Sequence, residues 1–198
     1  MRAGRLRHQL TFYERYGHPP AWKNIGTTWG ALEPPKNASL SGTSDIGTIG
    51  LRRLMPITAI TRCSPDIRPG LLMSHAKNFY SVDAVANQDE KGVNNIITLR
   101  QFAGAKGIYT RKSDGRNFDV ICGIEHVNEE AIYPTRRQTM QVMIEVLLFH
   151  LIWPWGQRGD IIKVNGVKHL LDETPPREYD GYSIAFKAIP NPPDNPLV

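Results

Sequence analysis

Two stretches of this 198-residue chain carry one pattern, and that repeat constrains the fold more than any other feature. The first runs from Ile67 to Val85, "IRPGLLMSHAKNFYSVDAV"; the second runs from Gln157 to Thr174, "QRGDIIKVNGVKHLLDET". Each opens on an arginine close to a glycine: Arg68 and Gly70, then Arg158 and Gly159. Each continues as an apolar run, a polar break and a second apolar run, and reaches an aspartate, Asp83 or Asp172. Setting Gly70 on Gly159 also sets Val82 on Leu171 and Gly92 on Gly181 without a gap. The pattern implies an internal duplication, with copies of roughly 90 residues, a size at which one small barrel buries a core.

The apolar runs are short and rich in β-branched and aromatic residues, and Gly, Pro, Asn and Asp interrupt them at the spacing of an all-β sandwich or barrel. "LTFYER" (10–15), "IGTTWGALEP" (25–34) and "RLMPITAITRC" (53–63) read as the first three strands; Pro56 is tolerable near the start of the third. "GLLMSH" and "NFYSVDAV" form a hairpin, and "NNIITLRQF" closes the set. The second half repeats the order with "GIYTRK", "NFDVICGIEHV", a long strand in "TMQVMIEVLLFHLI", the hairpin "DIIKV" to "VKHLLDE", and "YSIAFKAI". Asn165-Gly166 suits a type I′ turn, where both residues take positive φ. Residues 136–150 also fit a helical period; the strand is the reading adopted. Alternation puts Trp29 and Ala31 on one face of their strand and Thr28 and Gly30 on the other, with Trp29 expected in the core.

The expected fold is therefore all-β, two tandem small β-barrel or sandwich domains with long inter-strand loops. The first domain spans 1–101, a short linker 102–107, the second domain 108–190, and an extended proline-rich tail 191–198. The copies differ most between their second and third strands. The first has the long, small and polar "EPPKNASLSGTSDIGTIGLRR" (33–53); the second has the shorter, more charged "VNEEAIYPTRRQT" (127–139). A structureless excursion of that length on a rigid scaffold points to function.

Catalytic patterns are missing. The six histidines have no zinc-like spacing, no Cys-x-x-Cys exists, "GTSDIG" lacks the Lys-Ser/Thr of a phosphate loop, and Glu129 and Glu130 would face opposite sides of a strand. No enzyme activity and no cofactor are expected. His150 reads as a satisfied core or interface histidine. Arg158-Gly159-Asp160 reads as the turn that enters a strand, and Trp153 and Trp155, flanking Pro154, as core or as an oligomer contact. Cys63 and Cys122 fit buried thiols in a reducing compartment, and no secretory leader or membrane span is expected. The net charge of +5 is carried in clusters, at Arg2, Arg5 and Arg7, at Arg52 and Arg53, and at Arg136 and Arg137. That permits contact with nucleic acid or an acidic partner and falls short of a dedicated DNA-binding stripe.

The chain opens "MRAGRLRH", of the type Met-x-x-Gly-x-Leu-Arg-His. The strand "LTFYER" follows, then Trp22 seven residues before "WGALEP" (29–34), a loop with Ser41-Gly42, an arginine strand, and "YSVDAV" (80–85) of the type Phe/Tyr-x-Val-x-x-Val. In that order and spacing, residues 1–101 resemble the head-tail joining (head-completion, or stopper) proteins of long-tailed bacteriophages. Residues 107–190 resemble, more faintly, phage tail-attachment proteins through "RGDIIKVNG" and a late strand pair. Such proteins are typically single-domain, so the fusion departs from the pattern.

The resemblance implies a virion neck protein made in the host cytoplasm. It implies a homo-oligomeric ring of six or twelve copies beneath the portal and adaptor proteins that helps retain packaged double-stranded DNA and presents a surface to a tail-terminator or tail-tube protein, with no membrane partner. It further implies that the long loop reaches the channel or the adjacent ring. Here that loop carries Leu40, Ser41, Gly42, Thr43, Ser44 and Asp45, with Arg52 and Arg53 at its exit. Its counterpart carries Glu129, Glu130, Tyr133, Arg136 and Arg137, and the basic N-terminus adds Arg2, Arg5 and Arg7. Six chains of two barrels would present twelve quasi-equivalent modules in one layer, or two stacked layers of six. An OB-like nucleic-acid-binding module is the alternative; it needs exposed aromatics for base stacking, and most aromatics here fall within apolar strands.

Overall fold

A computed structural model describes residues 6–33, 48–49, 51–53, 56–87, 92–127, 141–172, 177–179 and 181–191. The chain divides into two compact units, Met1–Phe102 and Ala103–Val198. The first contains β1 (His8–Tyr16), β2 (Ala21–Glu33), β3 (Thr48–Ile49), β4 (Arg52–Arg53), β5 (Ile57–Arg62), β6 (Leu72–His75), β7 (Asn78–Asn87) and β8 (Asn94–Phe102). The second contains β9 (Ala105–Thr110), β10 (Asn117–Val127), β11 (Gln141–Leu147), β12 (Ile161–Val164), β13 (Val167–Leu171), β14 (Arg177–Tyr179) and β15 (Ser183–Asn191). The fold is all-β, and each unit is a closed six-stranded barrel.

Both barrels close in the same order. In the first the ring runs β5-β2-β1-β6-β7-β8 and returns to β5; in the second it runs β11-β10-β9-β12-β13-β15 and returns to β11. Every pairing around both rings is antiparallel. Closure leaves no free sheet edge within a ring.

The repeat seen in the sequence is a repeat of register. From Gly70 to Val82 and from Gly159 to Leu171, equivalent residues differ by 89 in number and make equivalent bonds. Gly70 N bonds Val82 O, and Gly159 N bonds Leu171 O; Val82 N returns to Leu71 O, and Leu171 N to Asp160 O. Gly70 and Gly159 both have φ of 89°, where a side chain would be strained. Leu72 pairs with Ser81 as Ile161 pairs with Leu170, and His75 with Asn78 as Val164 with Val167. Both hairpins turn through two positive-φ residues, Asn165-Gly166 as expected and Ala76-Lys77 without any glycine. The last strands, Asn94–Phe102 and Ser183–Asn191, keep the same difference of 89. Across the rest of the ring, Phe12 faces Gly26 and Met73 where Tyr109 faces Phe118 and Ile162. Ala59 faces Leu32 and Ile97 where Ile144 faces Ile124 and Phe186.

The cores keep the frame and exchange side-chain size within it. Leu10 is fully buried, and a Cβ built on Gly30 would lie 2.5 Å from Leu10 Cδ1. The equivalent positions in the second barrel are Gly107 and Cys122; there the small residue is on the first strand, and a Cβ on Gly107 would lie 3.2 Å from Cys122 Sγ and 2.9 Å from Val164 Cγ2. Cys122 is smaller than Leu10, and the buried Val164 side chain, 2.9 Å from the Cβ position of Gly107, takes up part of the difference.

Several expectations are corrected. Trp29 is 58% exposed: Gly30 is the buried residue of that strand, and Leu32, two positions on, packs against the core, so the alternation puts Trp29 outside. The long strand expected through residue 152 stops at Leu147. Leu148 and Leu151 both enter the core, a spacing of three that a strand cannot satisfy, and a 3-10 turn over Leu148–His150 closes with Leu151 N bonded to Leu148 O. The linker shrinks from 102–107 to Ala103 and Gly104, since β8 ends at Phe102 and β9 begins at Ala105. Pro190 and Asn191 complete β15, with Pro190 facing His169, so the strand outlasts the boundary set for the tail. Residues 192–198 lie outside the described residues.

Candidate functional site

Of the residues proposed from sequence, Leu40, Ser41, Gly42, Thr43, Ser44 and Asp45 lie outside the described residues, as do Glu129, Glu130, Tyr133, Arg136, Arg137, Arg2 and Arg5. What is described is the return arm of the long loop, and it is not structureless. Thr48 pairs with Arg53 and Ile49 with Arg52, making a short antiparallel ribbon whose Arg52 pairs in turn with Phe102 at the end of β8. Leu51, between the two short strands, is fully buried. Burial of one leucine on the order of 1.5–3 kcal/mol fastens the ribbon to the barrel. Arg52 and Arg53 therefore have fixed backbone positions at the loop's base, while Arg7 is exposed immediately before β1.

Among the described residues, a buried polar network lies elsewhere, in the second barrel. The connection from β11 to β12 is four residues longer than its counterpart between β5 and β6, counted between the equivalent positions Leu147 to Gly159 and Arg62 to Gly70. A buried network holds it. Asp160 is fully buried and accepts from Tyr109 Oη, from Lys112 N at 2.9 Å and from Gln157 N at 2.9 Å. Tyr109 Oη in turn accepts from Gly156 N at 2.7 Å. Burial and the hydrogen bond to Asp160 push the Tyr109 hydroxyl far above its ordinary range, so it stays a neutral donor.

Arg111 extends the clamp. It is buried, and its guanidinium grips the Asp114 carboxylate through Nε at 2.9 Å and through Nη2. Its Nη1 donates to Ile152 O at 3.2 Å and Pro154 O at 3.0 Å, and its face lies 5.4 Å from the centre of the Phe118 ring. The hydrogen bond from Arg111 holds the Asp114 carboxyl down at about 2, with smaller help from the Arg116 backbone. Between these anchor points the segment presents Ile152 and Trp153, 62% and 52% exposed, while Trp155 turns inward onto Phe186. The alternatives left open for the two tryptophans thus divide: Trp155 is core, and Trp153 is surface.

Among its described residues the first barrel has no such clamp. At the positions of Tyr109 and Asp160 it carries Phe12 and Leu71, both buried in its core. Between β1, β2 and the shorter connection lies a cleft of about 290 Å³ with Phe12, Ile25 and Ile67 on its floor and Thr27, Ser64 and Asp66 at its rim. On the outer face nearby, Trp29 shares a shallow groove with Leu6, Thr28 and Arg62.

Among the described residues no three or more His, Cys, Asp or Glu side chains come together in a way that could hold a metal ion. His150 is half-buried, and burial lowers its pKa against the opposing charge of Asp119. Cys122 is buried, its thiol pushed up to about 12 by desolvation; Cys63 is exposed, and both are free. No helix among the described residues is long and apolar enough to cross a membrane. The network around Asp160 was missed in the sequence, though the repeat carried a signal for it: Asp160 aligns with Leu71, an apolar position. No family model matches the sequence, and no curated protein and no solved structure matches it.

Proposed function

We propose that this chain is a structural component of a tailed-bacteriophage neck, a ring subunit between the portal or adaptor and the tail. The observation that supports it best is the pair of closed barrels with one pairing scheme around both rings. A closed barrel is a rigid body whose contacts are made by loops and outward side chains. Such bodies suit a ring, where each weak contact is repeated and avidity holds layers together. In this reading the loop ending in Arg52 and Arg53 meets the portal or adaptor, a tail protein, or the phosphates of packaged DNA without regard to sequence. The test is removal: particles assembled without the chain should fill with DNA, lose it, and remain tailless. Particles that keep both DNA and tail without it would refute the proposal.

A second reading draws on Trp29. Its exposure beside Arg62 gives the first barrel the kind of aromatic and cationic groove on which single-stranded nucleic acid stacks. Titrating the full chain with a short oligothymidylate should then quench tryptophan fluorescence, more weakly as salt rises, and Trp29→Ala should abolish the response. An unchanged signal in the wild-type chain discards this reading.

A further inference from the structure

The two barrels differ at one point in a way that makes them complementary. Gly26 faces Phe12 in the first barrel; Phe118 faces Tyr109 in the second. The Phe118 ring sits 6.2 Å from the Tyr109 ring and beneath Arg111. It thereby fills the place that in the first barrel is the cleft floored by Phe12, Ile25 and Ile67. The first barrel lacks the aromatic side chain that its own twin supplies internally.

The second barrel also presents an aromatic side chain to solvent. Trp153 is 52% exposed, stands edge-on to Trp155 with ring centres 5.1 Å apart, and is flanked by carbonyls of Ile152 and Pro154 that both accept from buried Arg111. The longer connection that carries it has no counterpart of equal length in the first barrel. A tryptophan held in place before binding loses little freedom on docking and is the residue type most often found at the energetic centre of interfaces. The cleft suits it: an apolar floor for the ring, and at the rim the exposed Asp66 carboxylate and the Ser64 and Thr27 hydroxyls to accept from the indole N–H.

From this complementarity we infer that Trp153 of one copy docks into the first-barrel cleft of the next. The contact joins two different surfaces of one chain, so it is heterologous and repeats head to tail until a ring closes. It rests on the ring reading only in requiring that copies of the chain meet.

Sedimentation velocity of the full chain, with concentration raised to about 1 mM to reach weak affinities, tests it. The wild type is expected to associate beyond a dimer. Trp153→Ala, which removes the knob, and Ser64→Phe, which fills the cleft from its rim, should each weaken association at least about tenfold. Asp66→Arg, at an exposed position, replaces Ser64→Phe if that variant loses its hydrogen-exchange protection. An equal mixture of the knob and cleft variants should give a dimer and nothing larger, because one intact knob and one intact cleft remain. A wild type that stays monomeric, a Trp153→Ala variant that associates normally, or a mixture that stays monomeric overturns the contact. The neck reading fails separately, if particles lacking the chain keep their DNA and tails.

Discussion

Replacing Asp160 with alanine tests the claim that a buried carboxylate organises one end of the second barrel. The side chain is fully buried and accepts from three donors, Tyr109 Oη, Lys112 N and Gln157 N. A hydrogen bond to a charged group contributes about 1.5–3 kcal/mol. The three cannot simply be added, because they share one acceptor and the two backbone donors are only partly buried. Deleting the acceptor strands neutral donors rather than a charge, so the expected loss is about 1–3 kcal/mol for each donor that stays buried. Tyr109→Phe deletes one donor and leaves Gly156 N without its acceptor, for about 1–2 kcal/mol. The double variant should fall short of the sum by about 1 kcal/mol or more, since the two residues act through one bond. A two-unit chain need not unfold in one step, so a single melting curve is the wrong assay. Hydrogen exchange in rising urea, read at second-barrel core amides such as Ile162 and Leu171 with first-barrel amides as the internal reference, measures the right quantity. A loss below about 1 kcal/mol for Asp160→Ala would refute the reasoning, because no buried group with three donors can be removed that cheaply.

The other predictions concern packing, acid and thiols. Gly30→Ala places a Cβ 2.5 Å from Leu10 Cδ1 and 3.1 Å from Ile60 O, and should destabilise the first barrel by about 1–3 kcal/mol. Combining it with Leu10→Ala should cost less than the sum of the two, since the second barrel carries its small residue on that strand; additive urea midpoints would count against the size exchange. Asp114 has its pKa lowered by the Arg111 hydrogen bond, so its contribution to stability is complete above its ordinary 3.8 and is lost as pH falls toward about 2. Protection of the 111–116 turn should therefore decline between pH 4 and 2, and Asp114→Asn should flatten that decline. One thiol, the exposed Cys63, should react quickly with a disulfide reagent at pH 8, while Cys122, pushed up to about 12, should react only after unfolding. Two fast equivalents would contradict the burial of Cys122.

The fold was largely legible because strand patterning and the duplication are local signals. Gly70 and Gly159 are needed for backbone reasons that act within a few residues, and the Asn165-Gly166 turn is chosen by its own chemistry. Trp29 shows where that kind of reasoning stops. Alternation separates the faces of a strand but does not say which face is inner: Trp29 is the bulkier residue, yet it is Gly30 whose added Cβ would meet Leu10 in the core. The end of β11 failed for a related reason. A run as apolar as "VLLFHLI" reads as strand throughout, yet Leu148 and Leu151 reach the core only through a turn. The candidate loops were visible as composition, but their partners are not written in the chain, and the clamp that holds Trp153 spans residues from 109 to 160, brought together only by barrel closure.

What the duplication adds is an internal control. Where both copies agree, as in the two φ values of 89° at Gly70 and Gly159, the shared feature belongs to the barrel. Where they disagree at an equivalent position, the difference is either a repacking, as at Leu10 and Gly107, or a change of chemistry, as at Leu71 and Asp160. Phe12 and Leu71 both lie in an apolar core cluster of a kind that any barrel could use. Tyr109 and Asp160 replace them with a buried hydrogen-bonded pair, whose donors are costly to strand and whose geometry is narrow. Stability alone gives little reason for that exchange, because two apolar groups of similar shape do as well. Directionality does: an acceptor facing Gln157 N, together with the Tyr109 hydroxyl facing Gly156 N, fixes the path of the chain just after Trp153 and Trp155 in a way that a leucine cannot. The position of the exposed tryptophan, rather than the strength of the barrel behind it, is thus what the polar pair is built to hold.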